Sequence, residues 1–379
     1  MSNSGLVSAT GVAVRNSLST GEVFVFQNTG TVNGGENAIL ASNGDDQIRN
    51  SGALIGDVAL DDGANLFIST GTVEGDISAG TSADRIVIGG EMVGDITTNL
   101  GADTVTVTGT LTGDIDTAGL GDTLSIGATG SITGNVTVGD SSDTVTMSGR
   151  INGTLDLGTG NDALTIGGTG FVSGGVTGGF GDDTITGGEL GDNFDGGNQD
   201  DLLIGRGGDD TLSGGQGNDT LLGGSGNDNL QGVEDTNVLN GQNGNDVIVG
   251  GTGDDRMFGG NGDDTLTSGT GADILRGDAG EDVFVFRSVA DTGTGSTRDR
   301  IIGFEDGRDL IDLTGFGSIA FSATGAIGSG TASVWFQSIS SGAQTMLRID
   351  TNGDGNFDGQ VLLVRTDPAL LDQSDLILG

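Results

Sequence analysis

The sequence predicts an all-β protein: a parallel β-solenoid that continues into a β-roll and ends in a β-rich C-terminal domain. Three observations support this fold class. A nine-residue repeat fills residues 178–285, a repeat of 19–21 residues fills residues 31–177, and apolar residues alternate with polar ones after residue 285. Fixed repeat lengths of this kind are typical of solenoids, in which each coil buries its apolar residues against its neighbours.

The nine-residue repeat keeps its phase over twelve consecutive blocks, from Gly178 to Val285. The sixth position is aspartate in all blocks but one, which has Asn237; the aspartates are Asp183, Asp192, Asp201, Asp210, Asp219, Asp228, Asp246, Asp255, Asp264, Asp273 and Asp282. The eighth position is always apolar, as Ile185, Phe194, Leu203, Leu212, Leu221, Leu230, Leu239, Ile248, Met257, Leu266, Leu275 and Phe284.

This pattern predicts a six-residue glycine-rich turn followed by a three-residue strand whose middle side chain points inward. Two blocks then make one coil, and the aspartates of successive coils lie beside each other. Such a column of carboxylates repels itself unless a hard cation lies between them. The ligands in these turns are carboxylate and carbonyl oxygens, which select Ca²⁺ over softer metals, so we expect several Ca²⁺ ions to be bound.

Composition supports a cation as partner. The 379 residues include 78 Gly and carry a net charge of −41. Nucleic acid and anionic membrane surfaces both require a positive protein face, so neither is an expected partner.

The missing residue types exclude most catalytic machinery. The chain has no Cys, His, Tyr or Lys, so thiol and imidazole nucleophiles, histidine zinc sites and lysine Schiff bases are excluded. Disulfides are excluded too, which leaves a metal to hold an extracellular chain together. The N-terminal sequence MSNSGLVSATGVAVRNSL has no basic segment followed by an apolar one, and no long apolar run occurs elsewhere. We therefore expect neither a Sec-type signal nor a membrane span.

Upstream of residue 178, two motifs recur in the same register. Gly-Asp followed by Ile or Val appears at Asp57, Asp76, Asp95 and Asp114. An aspartate followed by alternating apolar residues appears at Asp46, Asp84, Asp103, Asp122, Asp143, Asp162 and Asp183, with Asn65 in the gap. One solenoid coil for each repeat fits this spacing. We expect residues 1–30 to cap the first coil and residues 31–177 to form the solenoid that joins the roll of residues 178–285.

The blocks GGQGNDTLL, GGSGNDNLQ, GGTGDDRMF and GGNGDDTLT resemble the RTX (hemolysin-type) calcium-binding nonapeptide, GGxGxDxUx. The resemblance implies an RTX calcium β-roll in which each Ca²⁺ lies between turns of adjacent coils. It also implies that the ion takes the sixth-position aspartate and backbone oxygens of the turn glycines Gly215, Gly217, Gly224, Gly226, Gly251, Gly253, Gly260 and Gly262. The block GVEDTNVLN, residues 232–240, loses two glycines and the aspartate, so we expect a weak or absent site around Asn237.

Residues 282–316 resemble the C-terminal domain that follows the calcium roll in serralysin-type metalloproteases. The tail DQSDLILG resembles that family's type I secretion signal, with Asp375, Leu376, Ile377 and Leu378 as its core. For residues 286–379, the resemblance implies a secretion domain that engages the type I secretion machinery. It further implies a secreted, extracellular or bacterial cell-surface location. The protease itself is not implied, because its zinc-binding histidines have no counterpart here.

A further metal site is suggested by DTNGDGNFD, in which Asp350, Asn352 and Asp354 stand at EF-hand-like positions. The bidentate Glu of that loop is replaced by Val361, and the flanking apolar alternation favours a hairpin turn.

The sequence leaves four roles open, of which a toxin is disfavoured because no amphipathic or apolar pore-forming segment precedes the repeats. A structural or adhesive protein, with a cell-surface or matrix polysaccharide as candidate partner, is favoured because the repeats are rigid and no catalytic constellation is visible. Ice binding would use the outward threonine pairs Thr104/Thr106, Thr123/Ser125, Thr144/Thr146 and Thr184/Thr186, a pattern interrupted by Gln47/Arg49, Arg85/Val87 and Ala163. A polysaccharide-acting enzyme on the solenoid is the remaining alternative, and we expect no enzyme activity.

Overall fold

A computed structural model describes residues 1–15, 23–323, 325, 330–339, 344–364, 366 and 370–379. The chain divides into two compact units, Met1–Asp195 and Gly196–Gly379. The regular structure of the described residues is β-strand, apart from short 3₁₀ turns, which confirms the all-β solenoid and roll.

The strands of residues 2–126 are β1 (Ser2–Asn3), β2 (Leu6–Ser8), β3 (Val14–Arg15), β4 (Val25–Asn28), β5 (Thr31–Leu40), β6 (Gln47–Asn50), β7 (Ala53–Ala59), β8 (Leu66–Ser69), β9 (Thr72–Glu74), β10 (Ile77–Ser78), β11 (Arg85–Ile88), β12 (Glu91–Val93), β13 (Ile96–Thr97), β14 (Thr104–Val107), β15 (Thr110–Thr112), β16 (Ile115–Asp116) and β17 (Thr123–Ile126). Those of residues 131–243 are β18 (Ser131–Thr133), β19 (Val136–Thr137), β20 (Thr144–Met147), β21 (Arg150–Asn152), β22 (Leu155–Thr159), β23 (Ala163–Ile166), β24 (Phe171–Val172), β25 (Val176–Phe180), β26 (Thr184–Thr186), β27 (Asn193–Asn198), β28 (Leu202–Gly207), β29 (Thr211–Gln216), β30 (Thr220–Ser225), β31 (Asn229–Val233) and β32 (Val238–Asn243).

The remaining strands are β33 (Val247–Thr252), β34 (Arg256–Asn261), β35 (Thr265–Thr270), β36 (Ile274–Ala279), β37 (Val283–Val285), β38 (Asp299–Ile302), β39 (Leu310–Asp312), β40 (Ala320–Phe321), β41 (Ser333–Ile339), β42 (Gln344–Asp350), β43 (Gly359–Val364) and β44 (Leu376–Ile377). The 3₁₀ turns are Val289–Asp291, Gly295–Thr297, Thr314–Phe316 and Gln373–Asp375.

The coils of residues 66–152 each place a four-residue strand in one sheet and shorter strands in a second sheet. Strands β8, β11, β14 and β17 pair in parallel, and their inward residues Phe67, Ile86, Val105 and Leu124 are in register and fully buried. The second sheet is parallel as well, with Ile77, Ile96 and Ile115 stacked in register. The repeat seen in the sequence is therefore one coil, and the apolar ladder is its core.

The N-terminal residues also adopt the coil pattern. Strand β1 pairs in parallel with β4, and β2 and β3 pair in parallel with β5. Residues 1–15, which we expected to act as a cap, thus make strand pairings of the same kind as the coils after them. Residues 16–22 of the expected cap lie outside the described residues.

In the second unit, two nine-residue blocks form one coil, as predicted. Leu203, Leu221 and Leu239 stack in parallel register, as do Leu212, Leu230 and Ile248 on the other sheet. The prediction of a three-residue strand was wrong in length, since β29 and β30 extend six residues, into the glycine pair of the next block. Glycines have no side chain to keep the backbones apart, so pairing continues through them.

After residue 285, strands of the C-terminal segment stack on the roll. Strand β38 pairs in parallel with β36 and then with β43, while β39 pairs with β37 and then with β44. Strands β41, β42 and β43 add an antiparallel meander. The expected β-rich C-terminal domain is therefore present, and its first strands continue the register of the roll.

Candidate calcium-binding turns

The sixth-position residues of the second unit form two columns. The first column is Asp201, Asp219, Asn237, Asp255, Asp273 and Asp299, and the second is Asp210, Asp228, Asp246, Asp264, Asp282 and Asp309. Each residue except the last of its column donates its main-chain N–H to the side-chain Oδ1 of the residue one coil further on, at N···Oδ1 distances of 2.7–3.2 Å. One carboxylate oxygen of each aspartate therefore fixes the register between coils.

The other carboxylate oxygen has no such role. Within the described part of the chain, Oδ2 has no hydrogen-bond partner in Asp219, Asp228, Asp246, Asp255, Asp264, Asp273, Asp282 and Asp299. These side chains are at most 1% exposed. A buried carboxylate oxygen without a donor is costly, and a cation bound to it removes that cost.

Asn237 shows what surrounds this second oxygen. Its Oδ1 accepts the N–H of Asp219 at 2.8 Å, as an aspartate would. Its Nδ2 occupies the place of Oδ2 and donates to the carbonyl oxygens of Glu234 at 2.8 Å and Asp235 at 3.4 Å. An aspartate at this place would present an oxygen to those carbonyl oxygens. Oxygen atoms that face each other without a hydrogen between them are the ligands of a bound cation. An asparagine satisfies the turn by itself, which gives a physical reason for the weak or absent site expected here.

The first glycine of each turn makes room for the carboxylate. A Cβ built on Gly214, Gly223 or Gly241 would overlap Oδ2 of the aspartate five residues later. Sequence reasoning missed this position, although it is glycine in every block except the one that begins at Ser268.

The glycines at the second and fourth positions have left-handed backbone, as the turn requires. Values of φ are 106° and 130° for Gly215 and Gly217, and Gly224, Gly226, Gly251, Gly253, Gly260 and Gly262 fall in the same region. Each also packs against the backbone one coil earlier. Val233 and Asp235 keep positive φ, at 84° and 61°, so the block of Asn237 retains the turn without its glycines.

Burial raises the pKa of the column carboxyls. The pKa is about 6 for Asp219 and Asp246 and about 7 for Asp255. It is also about 7 for Asp264 and Asp273, whose neighbouring carboxylates add to the effect of burial. A proton can therefore take the place of a cation near neutral pH, and the two compete for the same oxygen.

The remaining predicted residues have the following contacts. Asp183 Oδ1 accepts the N–H of Asp162 at 2.7 Å, and Asp192 Oδ2 accepts that of Gly188 at 2.9 Å. Asp201 and Asp210 are buried and donate to the next members of their columns. Asp309 ends the second column, with Oδ1 and Oδ2 accepting the N–H groups of Asp282 and Glu305.

The loop of Asp350, Asn352 and Asp354 forms the hairpin between β42 and β43. Both oxygens of Asp350 accept main-chain N–H groups, from Gly353 at 2.6 Å and Gly355 at 2.9 Å. Asn352 and Asp354 accept from the residues two positions later. These bonds account for the turn that the apolar alternation favoured.

The tail residues predicted as the secretion signal pack against the C-terminal segment. Asp375 ends a 3₁₀ turn and is 1% exposed, and Leu376 and Ile377 form β44, which pairs with β39. Leu378 follows β44 directly. No helix among the described residues is long and apolar enough to cross a membrane.

In the described residues, no three acidic side chains approach closely enough to form a metal cage of carboxylates. A Ca²⁺ ion in these turns would therefore combine the column aspartates with turn carbonyl oxygens, a ligand set that Ca²⁺ accepts readily. The fold and the site thus define a calcium-binding β-solenoid.

The family of the repeats follows from comparison with known proteins. The family described as RTX calcium-binding nonapeptide repeat (4 copies) matches residues 186–221, 195–230, 222–257, 231–266 and 258–292. This part of the chain consists of RTX calcium-binding repeats. No curated protein matches the chain significantly.

Three solved structures are similar to the chain. The AlgE6R2 subunit of the Azotobacter vinelandii mannuronan C5-epimerase is 23% identical, covers 50% of this chain and 92% of its own, and has a TM-score of 0.27. The AlgE6R3 subunit of that enzyme is 27% identical, with coverages of 48% and 80% and a TM-score of 0.21. A hyperactive, Ca²⁺-dependent, β-helical antifreeze protein from an Antarctic bacterium is 22% identical, with coverages of 65% and 81% and a TM-score of 0.35.

Proposed function

We propose that this protein is exported unfolded by a type I secretion system and folds outside the cell when Ca²⁺ enters the turns of its roll. There it serves as a structural or adhesive protein of the cell surface or the surrounding matrix. The observation that carries this proposal is the row of buried Oδ2 atoms that have no donor within the described residues. Calcium binding then supplies folding free energy, because the unfolded chain holds no preformed site.

The metal ligands we propose are the sixth-position aspartates from Asp183 to Asp282 together with backbone oxygens of the turn glycines. When bound, Ca²⁺ supplies the positive charge that the paired coils lack. The chain itself fixes the register through Oδ1, excludes water from the columns and holds the glycine turns in the left-handed conformation. In a low-calcium cytoplasm the carboxylates repel each other, and the roll stays open for export.

A calcium titration tests the folding switch. We expect far-UV circular dichroism of the full chain to change from coil-like in EGTA to β-rich in millimolar Ca²⁺, since each filled turn removes an unpaired buried charge. Fluorescence of Trp335, a buried residue of β41 and the only tryptophan, reports the C-terminal segment in the same sample. A fully β-rich roll in EGTA at neutral pH would contradict the switch.

The export signal we propose is Asp375, Leu376, Ile377 and Leu378. Deletion of residues 370–379 is expected to abolish export, measured as the protein recovered from culture medium against that kept in the cell. Deletion of residues 1–8 serves as a control that shortens the other end of the chain. Unchanged secretion of the first variant would remove the signal assignment and leave calcium binding untouched.

A further inference from the structure

The first unit contains a column of its own, outside the RTX repeats. Its members Asp84, Asp103, Asp122, Asp143 and Asp162 precede the four-residue strands of successive coils. Each donates its main-chain N–H to Oδ1 of a residue one coil further on, with N···Oδ1 distances of 2.5–2.7 Å. These side chains are 2–3% exposed.

All five aspartates keep an Oδ2 atom that is buried and has no hydrogen-bond partner in the described portion of the protein. The same column contains one asparagine, Asn65, with which the aspartates can be compared. Its Nδ2 donates to the carbonyl oxygens of Asp61 at 3.1 Å and Gly63 at 2.8 Å. Oδ1 of Asn65 accepts a main-chain N–H of the preceding coil, as Oδ1 of each of the five aspartates does, so their Oδ2 atoms correspond to Nδ2 of Asn65 and an acceptor replaces a donor.

Three of these turns also have the backbone of the RTX turn. Before Asp103, φ is 49° at Asn99 and 154° at Gly101. Before Asp143, the second and fourth turn positions are left-handed, with φ of 96° at Gly139 and 73° at Ser141. Before Asp162, the values are 100° at Gly158 and 138° at Gly160. All three turns lie upstream of residue 186, where the RTX match begins.

We infer that the turns before Asp84, Asp103, Asp122, Asp143 and Asp162 form a second series of divalent-cation sites, with Ca²⁺ as the ion they fit. The ligands are the aspartate Oδ2 atoms and carbonyl oxygens of the turns, and oxygen-only sites with several carbonyl ligands favour Ca²⁺ over softer metals. Calcium therefore stabilises the solenoid of the first unit as well as the RTX roll.

The sites are tested in the full chain with Asp143→Asn combined with Asp162→Asn. Each asparagine keeps the Oδ1 acceptor and gains the donor that Asn65 uses, so we expect the coils to remain folded. The control is Asp95→Asn combined with Asp114→Asn, which changes the charge equally. Asp95 and Asp114 are exposed, and each uses Oδ1 to accept an N–H of the next coil. Asn135 already makes the corresponding bond to Thr154 at 3.1 Å.

Equilibrium dialysis with ⁴⁵Ca²⁺ gives the number of ions bound at saturation. We expect the test variant to lose one ion for each replaced aspartate and the control to lose none. Equal numbers in the two variants would overturn the inference. The RTX turns are intact in both variants. If the roll sites of the proposed function did not bind Ca²⁺, the number of ions bound by the unmodified chain would be lower, but the difference between the two variants would remain.

A second measurement does not depend on a variant. Hydrogen exchange of the unmodified chain is expected to slow in strands β14, β17, β20 and β23 when Ca²⁺ replaces EGTA. Exchange rates that are the same in both conditions within residues 104–166, while residues 202–279 respond, would likewise overturn the inference.

Discussion

The full chain with Asp228→Asn, Asp246→Asn and Asp264→Asn is expected to keep its roll folded in EGTA, a condition in which we expect the roll of the unmodified chain to unfold. Each asparagine should repeat the bonds of Asn237, accepting an N–H through Oδ1 and donating to turn carbonyls through Nδ2. Satisfying a buried unpaired polar atom contributes about 1–3 kcal/mol. Three such changes are comparable with the net stability of a domain, about 5–15 kcal/mol.

Thermal melts in EGTA, followed by circular dichroism, measure this effect. The matched control is Asp209→Asn, Asp254→Asn and Asp263→Asn, which makes the same charge change at exposed positions. Those three aspartates accept N–H groups of the next coil through Oδ1, at 2.8–2.9 Å. If the control melts at as high a temperature as the column variant, general charge repulsion and not the buried oxygen explains the calcium requirement.

The pH dependence of stability is expected to have opposite signs with and without calcium. In the metal-free chain, burial raises the pKa of Asp255, Asp264 and Asp273 from 3.8 to about 7. The folded state then binds more protons than the unfolded state between these values. Its stability is highest below pH about 4 and is lost as the pH rises through about 7. We expect the metal-free roll to be more completely folded at pH 5 than at pH 8.

With saturating Ca²⁺ the order reverses. The ion binds the ionised carboxylates, so protons compete with it and acidification from pH 8 to pH 5 lowers the melting temperature. Circular dichroism at both pH values, in EGTA and in Ca²⁺, measures the folded fraction of the chain in these four conditions, and melts in Ca²⁺ give the two melting temperatures. A metal-free chain that is more stable at pH 8 would show that the column carboxyls do not control folding.

The sequence repeats predicted much of this fold because each coil of a solenoid contacts only its neighbouring coils. The apolar eighth position, exemplified by Leu221 and Leu230, is fully buried, and coils of two blocks follow from the phase alone. The upstream repeat likewise corresponds to one coil, as the register of Ile86 with Val105 shows. Both predictions are confirmed because each inward residue meets only its equivalents in the neighbouring coils.

What the sequence did not predict depends on backbone pairing and on the direction of side-chain atoms. Strand β29 extends through the glycine pair because neighbouring backbones hydrogen-bond there, and glycine content alone suggested a turn. Gly223 makes room for the carboxylate of Asp228, and this role is visible only when the position of that carboxylate is known. The donor role of Asn237 is a difference of one atom from aspartate, visible only beside the carbonyls it contacts. The metal ligands and the secretion signal stay predictions.

The parallel register of the first unit has a consequence for how such a chain can change in evolution. Strands β8, β11 and β14 repeat the same pairing at intervals of one coil, and each inward side chain meets equivalents above and below. Removing or duplicating one whole coil would leave every remaining residue with neighbours of the same kind. The number of coils in the first unit can therefore change by recombination without a new core, so a lineage could lengthen or shorten this unit while its fold stays the same.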